Sequence, residues 1–475
     1  MASTYLTKTF GSAGSLTTWT LSFWVKKAGN GIEQRIFNCD DDASGNNDQW
    51  MKFDGSDILQ FSQYQSGYTQ KIETNRKFRD NNGWYHIVLV WDTTNGTAGD
   101  RTRIYINGVR ETSFSSEVQA SSSLSSLINN TTYPFEIGRR GLNGSQFFTG
   151  SLSHVHFCDG TALAPTVFGS TDATTGEWKI NTSPSFTLGT NGFTILKDGN
   201  TITDQSSNSN NFTLGAGTLT KTEDCPDNVF ATINSLFVND NGAANALTQG
   251  NNTYTSGTSH EWNNMTSTLG ASTGKWYWEV KYTQIINTAS LYMCDEGVAA
   301  DLAPANYNLG EGSRSGYGYG WLCGQLNSGS PTSTTKKLTT INGTSTITQD
   351  DHNSSITTND IVGVAWDATN GKLWFHKNGT YIDDTSGNVG NPTTAAYPYI
   401  SGMQTGLLYT VYADVWNNNS GSSLIKSYNF GNGYFGTTAV ATNSGNGYAG
   451  AEGSSIFNYQ PPTGYTALST KGLNL

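Results

Sequence analysis

The chain has 475 residues, too many for one hydrophobic core and enough for two or three domains of ordinary size. A formal net charge of −11 with no basic run argues against nucleic acid as a partner, because phosphate binding needs clustered Lys and Arg. Only 13% of residues are charged, Gly is abundant at 54, and no apolar stripe of helical period is long enough to use, so the expected fold class is all-β.

The start, MASTYLTKTF, lacks the apolar core of a signal peptide, and no stretch approaches the length of a membrane span. A soluble protein made in a cytoplasm is expected, without membrane insertion. The cysteines (Cys39, Cys158, Cys225, Cys294, Cys323) are odd in number and form no C-x-x-C pair, so they read as buried free thiols.

In chain order, Thr18–Lys26 alternates Trp19, Leu21, Phe23 and Val25 against Thr20, Ser22 and Trp24, a strand with one buried face. Gln34–Cys39 is a second strand. The acidic loop after it offers Asp40, Asp41, Asp42 and Asp48 as oxygen ligands of the kind calcium takes, but the spacing is not that of an EF-hand and a solvated acidic turn is the simpler reading. No cofactor is otherwise expected. Gly83–Asp92 (GWYHIVLVWD) and Arg103–Arg110 (RIYINGVR) read as strand, loop and strand, closed by the turn Asn107-Gly108. His154 and His156, two apart on a strand within FTGSLSHVHF, share a face and read as surface histidines in the absence of a third metal ligand.

The strings TWTLSFWVKK, GWYHIVLVWDTT, RIYINGVRE, FEIGRRG and FTGSLSHVHFCDGTALAPTVFG resemble the laminin-G-like, concanavalin-A-like domain of marine bacteriophage virion structural proteins. That resemblance covers residues 1–170 and implies an antiparallel jelly-roll sandwich. Residues 171–228 then form a connector that is similar to the segment following that domain in the same phage proteins. Its pieces Gly192–Leu196 and Asn211–Leu214 are strand-sized and apolar, so it is expected to be ordered and to lie against one or both sandwiches, anchored by Trp178, Phe186 and Phe193.

Residues 229–440 repeat the early pattern. Gly274–Lys281 (GKWYWEVK) alternates Trp276, Trp278 and Val280 against Tyr277, Glu279 and Lys281, and Asp360–Ile382 holds two hairpin signals, Asn370-Gly371 and Asn378-Gly379. With GYGYGW, YPYISG, YTVYADVW and SYNFGNGYF, this region resembles the SPRY (B30.2-like) sandwich, a binding scaffold whose specificity sits in loops at one end. The tail, 441–475, is rich in Gly and Asn, and its Pro461-Pro462 cannot enter a sheet ladder, so an extended peptide docked on a neighbouring surface is expected.

The whole is expected to be two antiparallel jelly-roll-like β-sandwiches in tandem with an ordered, strand-containing connector. The aromatic residues chosen as glycan-stacking candidates are Trp262, Tyr307, Tyr317, Tyr319, Trp321 and Trp416, with core packing as the alternative for each. Catalysis is not expected. Retaining glycoside hydrolysis needs two facing carboxylates, whereas Glu279 stands alone among tryptophans and Asp295 and Glu296, being adjacent, point to opposite faces. Together with the resemblance, this implies a non-enzymatic virion protein: a tail fibre, tail-tip or head-decorating appendage whose loops adhere to host-surface glycan. Its expected partners are other virion proteins, in a symmetric homo-oligomer for which a trimer is the favoured form. Purely structural decoration and a polysaccharide depolymerase are the alternatives.

Overall fold

The computed structural model describes residues 3–41, 44–197, 201–237, 246–257, 262–285, 292–301, 315–327, 330–331, 336–342, 344–349, 356–384, 386–417, 423–442 and 445–474. They fall into two compact units, one of residues 1–221 with 225–227 and the other of 222–224 with 228–475. Among the described residues the α-helical element is one turn, Thr470–Leu473, and the rest of the regular structure is strands with two 3₁₀ turns.

The first unit is a sandwich. Its larger sheet has eight antiparallel strands in the spatial order Phe114–Val118, Tyr68–Lys77, Ile58–Gln65, Asn47–Phe53, Gln34–Asp40, Phe135–Ile137, Tyr5–Lys8 and Thr213–Ala216. The smaller runs Phe193–Ile195, Gly150–Asp159, Thr18–Lys27, Tyr85–Asp92, Thr102–Ile106 and Val109–Arg110. Trp19, Leu21, Phe23 and Val25 meet Phe37, Met51, Phe53 and Phe61 between the sheets, as the alternation predicts. Trp19 stacks on Trp91 at 6.0 Å, and Phe61 meets both rings edge-on. Two edge strands, Phe193–Ile195 and Thr213–Ala216, come from the connector, which is therefore built into this unit: one extends the smaller sheet beside Gly150–Asp159, the other the larger sheet beside Tyr5–Lys8.

The same connector covers the outer face of the smaller sheet. Trp178 lies over Gly108, whose positive φ of 79° and lack of a side chain admit the indole at the Asn107-Gly108 turn. The Trp178 indole N–H donates to His86 Nδ1 at 2.9 Å, which leaves the Nε2 proton to face Ser22 Oγ at 2.9 Å, with Trp24 stacked on the imidazole at 4.8 Å. Burial lowers His86 to about 3, so the ring is neutral in this sandwich. His154 and His156 are also buried rather than on the surface. His154 sits at φ +48° in a bulge between Ser153 and His156, and the His156 ring packs under Phe168 while its Nδ1 meets Thr194 Oγ1 at 2.9 Å.

The second unit is also a sandwich. One sheet runs Ala246–Thr248, Thr253–Thr255, Ile425–Asn429, Lys275–Gln284, Ile361–Asp367, Lys372–Lys377 and Thr380–Tyr381, with Thr466–Ala467 pairing in parallel to Lys275–Gln284. The other runs Trp262–Ala271, Tyr409–Asn417, Tyr292–Ala300, Tyr317–Asn327, Lys336–Ile341 and Thr344–Gln349, with Ser330–Pro331 beside Tyr317–Asn327. Trp276, Trp278, Val280, Trp366 and Phe375 face Trp321, Val298 and Val411 in its core. At Asn378-Gly379 both residues have positive φ, 51° and 84°, as a type I′ turn requires. At Asn370-Gly371 they do not: Asp367 pairs with Lys372 across a four-residue loop in which the Asp367 carboxylate accepts the Asn370 backbone N–H at 2.9 Å.

The tail belongs to this unit. Phe457, Tyr465 and Ala467 bury themselves against Tyr277 and Trp374 on the outer face of the first of these sheets, and Pro461 and Pro462 are buried with them, outside any strand. The fully buried Glu279 carboxylate accepts the backbone N–H groups of Asn458 at 2.8 Å and Tyr459 at 2.7 Å, and the Tyr277 hydroxyl at 3.1 Å. Glu279, read from sequence as isolated, is the anchor of the tail.

Candidate functional site

The outer face of the first unit's larger sheet carries an exposed aromatic residue, Tyr68. Because Met51, Phe53, Leu59 and Phe61 point into the core, their alternates Trp50, Lys52, Gln60 and Ser62 point outward. Strand register sets these residues in rows: Asp40, Asp48, Tyr64 and Tyr68 in one, and Asn38, Trp50, Ser62 and Lys71 in the next. Tyr68 is 45% exposed and meets Tyr64 edge-on at 5.4 Å and Trp50 at 6.3 Å. Trp50, at 6% exposure, lies beneath the Arg35 guanidinium, 4.7 Å from its ring, and the buried indole N–H has no hydrogen-bond partner among the described residues. Lys71 stands 4.9 Å over the Tyr68 ring and 2.9 Å from Glu73.

The charges on this face are paired among themselves. Arg35 Nη1 donates to Asp48 at 2.8 Å and also to Asn38, whose amide donates to Asp40. Burial pushes the Asp48 carboxyl up to about 6 against the pull of Arg35. The result is a near-neutral face on which the exposed Tyr68 ring stands beside half-buried Tyr64, over buried Trp50, Asn38, Gln60 and Ser62. Such a surface suits an uncharged, hydroxyl-rich ligand with an apolar face better than it suits a strongly charged one.

The carboxylates weighed for calcium are dispersed by the same geometry. Asp40 accepts from Asn38 and from the Leu142 N–H at 3.0 Å, and Asp48 is held by Arg35. Asp41 accepts the N–H groups of Ser44 and Gly45, each at 3.0 Å, in its own turn, and Asp42 lies outside the described residues. No group of three or more His, Cys, Asp or Glu suited to a metal occurs among the described residues.

The aromatic candidates of the second unit turn inward. Tyr319 and Trp321 are 2% and 0% exposed in its core, and Tyr317 is partly buried against the same core. The alternation with Gly318 and Gly320 does put all three on one face, but it is the face between the sheets. The glycines occupy the outer face, where Gly297 packs so closely on the neighbouring strand that a Cβ would fall 2.1 Å from the Tyr319 carbonyl. Trp262 is buried and Trp416 half-buried, opposite one another in register. Tyr307 lies outside the described residues.

Beside that tryptophan pair the structure brings together two carboxylates that a search along single strands misses. Asp295 and Asp414 are directly opposed on neighbouring strands, and the Asp414 N–H donates to Asp295 Oδ1 at 2.8 Å. Asn264, in the same row one strand along, donates to Asp414. Both carboxylates are fully buried, and burial pushes Asp295 up to about 6 against the pull of Lys426. Glu296 faces the other way, into the core, where Lys426 Nζ meets it at 3.0 Å with neither side chain exposed. The hydroxyl of Tyr282 donates to the same carboxylate at 2.9 Å.

With this geometry in hand, residues 2–168 match the concanavalin A-like lectin/glucanases superfamily and residues 275–408 match the SPRY domain. A comparison with curated proteins finds no match. Among solved structures the chain is similar to the native heptameric SAP-like pentraxin of Limulus polyphemus, at 16% identity over 34% of this chain and 71% of that one, with a TM-score of 0.26. It is similar to the SPRY domain of human HERC1 at 12% identity, over 41% of this chain and 96% of that one, with a TM-score of 0.26. It is also similar to a Bacteroides ovatus protein described by name as carbohydrate binding, at 15% identity over 48% of this chain and 62% of that one, with a TM-score of 0.31. The protein therefore combines an N-terminal domain of the concanavalin A-like lectin/glucanase superfamily with a C-terminal SPRY domain.

Proposed function

We propose that the protein is a non-enzymatic, glycan-binding component of a bacteriophage virion: a tail fibre, tail-tip or head appendage, made in the host cytoplasm and carried on the particle as a symmetric homo-oligomer, a trimer by preference, among other virion proteins. The observation that carries the binding role is the outer face of the first unit's larger sheet, where the exposed Tyr68 ring stands beside Tyr64 and over the ring of Trp50. A sugar ring stacks its C–H face on the exposed Tyr68 ring. The lectin-like superfamily match to residues 2–168 supports the same role, and the phage setting rests on the resemblance of the sequence motifs. The binding surface moves from the sheet-end loops of the second unit to a sheet face of the first.

A glycan array probed with the full chain and with Tyr68→Ala tests this. Wild-type binding to a host-surface polysaccharide, weakened about tenfold in the variant, is expected; no binding by the wild type, or equal binding by both, overturns it. Structural decoration is the second reading; it expects aromatics buried against other virion subunits, whereas Tyr319 and Trp321 fill the second unit's own core. The depolymerase reading is disfavoured because the facing pair Asp295 and Asp414 is fully buried, and release of reducing sugar by the purified chain would restore it.

A further inference from the structure

Two of the five thiols are neighbours. Cys294 lies on Tyr292–Ala300 and Cys323 on Tyr317–Asn327, adjacent antiparallel strands of the second unit. Register runs from Cys294 opposite Gly324 to Asp295 opposite Leu322, so Cys323 is the extra residue of a bulge and leans towards Cys294. The sulfurs are 3.9 Å apart. A disulfide of about 2.05 Å needs the two sulfurs to close by about 1.9 Å across one pair of adjacent strands.

We propose that Cys294 and Cys323 are a disulfide site, oxidised when the chain folds in the presence of a small disulfide such as oxidised glutathione. The thiolate of one cysteine attacks a sulfur of oxidised glutathione, breaks its S–S bond and releases one reduced glutathione. The thiolate of the other attacks the protein sulfur of the mixed disulfide and releases the second, so two protein thiols and one oxidised glutathione give one protein disulfide and two reduced glutathiones. Timing follows from burial. Both thiols are fully enclosed in the finished sandwich, where burial raises Cys323 well above the usual thiol range and leaves it a poor nucleophile. Exchange therefore belongs to the open chain. Of the other thiols, Cys39 faces the core of the first unit from its larger sheet, and Cys158 lies on the outer side of its smaller sheet. The bond would clamp the strand that carries both Asp295 and Glu296 to its neighbour Tyr317–Asn327, with the Cys323 sulfur 2.9 Å from the Tyr282 hydroxyl that donates to Glu296.

The test is peptide mapping after denaturing alkylation of full-length chain refolded with oxidised and reduced glutathione, or with excess reductant, native content being checked by circular dichroism. A linked Cys294–Cys323 peptide, lighter by two hydrogens, is expected in the first sample and absent from the second, with the melting temperature of the second unit several degrees higher in the first. Folded, reduced protein given the same glutathione mixture is expected to stay reduced. Cys294→Ser and Cys323→Ser remove the linked peptide, and the wild-type map stands without them should either fail to fold. Full alkylation of both cysteines in the oxidised sample, their pairing with Cys39, Cys158 or Cys225 instead, or equal oxidation of the folded chain overturns the proposal.

Discussion

The two sandwiches share an architecture, and each covers one outer face with its own chain, but they differ in the other. In the first unit the larger sheet leaves Tyr68 exposed, and the charges there are satisfied by one another. In the second unit one outer face is covered by the chain's own tail, pinned by Glu279, and the other buries Asp295, Asp414 and Tyr412. An aromatic residue on a strand thus has no fixed meaning. What lies over its face decides whether it is open to a ligand or fills an interior.

The sharpest break of the comparison removes the buried cation of the second unit. Lys426→Met leaves Glu296 enclosed without its partner, and the carbonyls of Asp295 and Asp414 without their donor. Breaking such a pair costs about 3–5 kcal/mol. Denaturant unfolding followed by hydrogen exchange should show that loss in peptides of the second unit and none in the first. The double substitution Lys426→Met with Glu296→Leu should recover most of it, since a packed apolar pair replaces a buried ionic one at little cost.

Glu279→Ala comes next. It strands two buried backbone N–H groups, at about 1–3 kcal/mol each, and should release residues 456–468 to proteolysis while the core strands stay protected. If the tail exchanges as slowly as in the wild type, Glu279 is not its anchor and the second unit's covered face is held by the aromatic packing alone.

How much of this was legible before the structure depends on where the signal lies along the chain. Strands with one buried face were readable, because Trp19, Leu21, Phe23 and Val25 or Trp276, Trp278 and Val280 repeat with period two. Trp50 was readable in principle, as an aromatic out of phase with Met51 and Phe53. Tyr68 was not: in simple alternation it shares the inward phase of Ile72, and only the register shift that sets Gln63 opposite Gln70 but Tyr64 opposite Tyr68 turns it outward. Nor was the Asp295–Asp414 pair, whose members are 119 residues apart and meet only because their strands are neighbours. The inward turn of Tyr319 and Trp321 was half legible. Alternation with glycine put them on one face, and which face needs the partner sheet.

A third measurement probes the charges of the open face through pH. Burial holds the Asp48 carboxyl near 6 in the folded chain against 3.8 when free. The folded state therefore binds this proton more tightly, and its contribution is present below about pH 4 and lost as pH rises through 6. Stability of the first unit should fall across that window by up to about 1.4 kcal/mol per pH unit, and Asp48→Asn should flatten the slope. An unchanged slope in the variant would mean that Asp48 titrates normally and that the face is less enclosed around Trp50 than its packing indicates.

The smallest effect bears most directly on function. Tyr68→Ala removes an exposed ring that makes no hydrogen bond in the ladder of core contacts, so surface replacement should change stability by less than about 0.5 kcal/mol. Glycan binding, in contrast, should weaken about tenfold, the equivalent of about 1.4 kcal/mol, because the stacking surface is gone. Tyr68→Phe separates the ring from its hydroxyl: if stacking carries the contact, the variant keeps most of the affinity, and if the hydroxyl does, it behaves like the alanine. Trp321→Ala in the second unit should show the reverse signature, a large loss of stability of about 3–5 kcal/mol from a core cavity with glycan affinity of the still-folded first unit intact. Isothermal titration of the three variants with one array-identified polysaccharide thus asks the same question of both sandwiches: an aromatic that costs affinity without stability faces a ligand, and one that costs stability without affinity faces its own core.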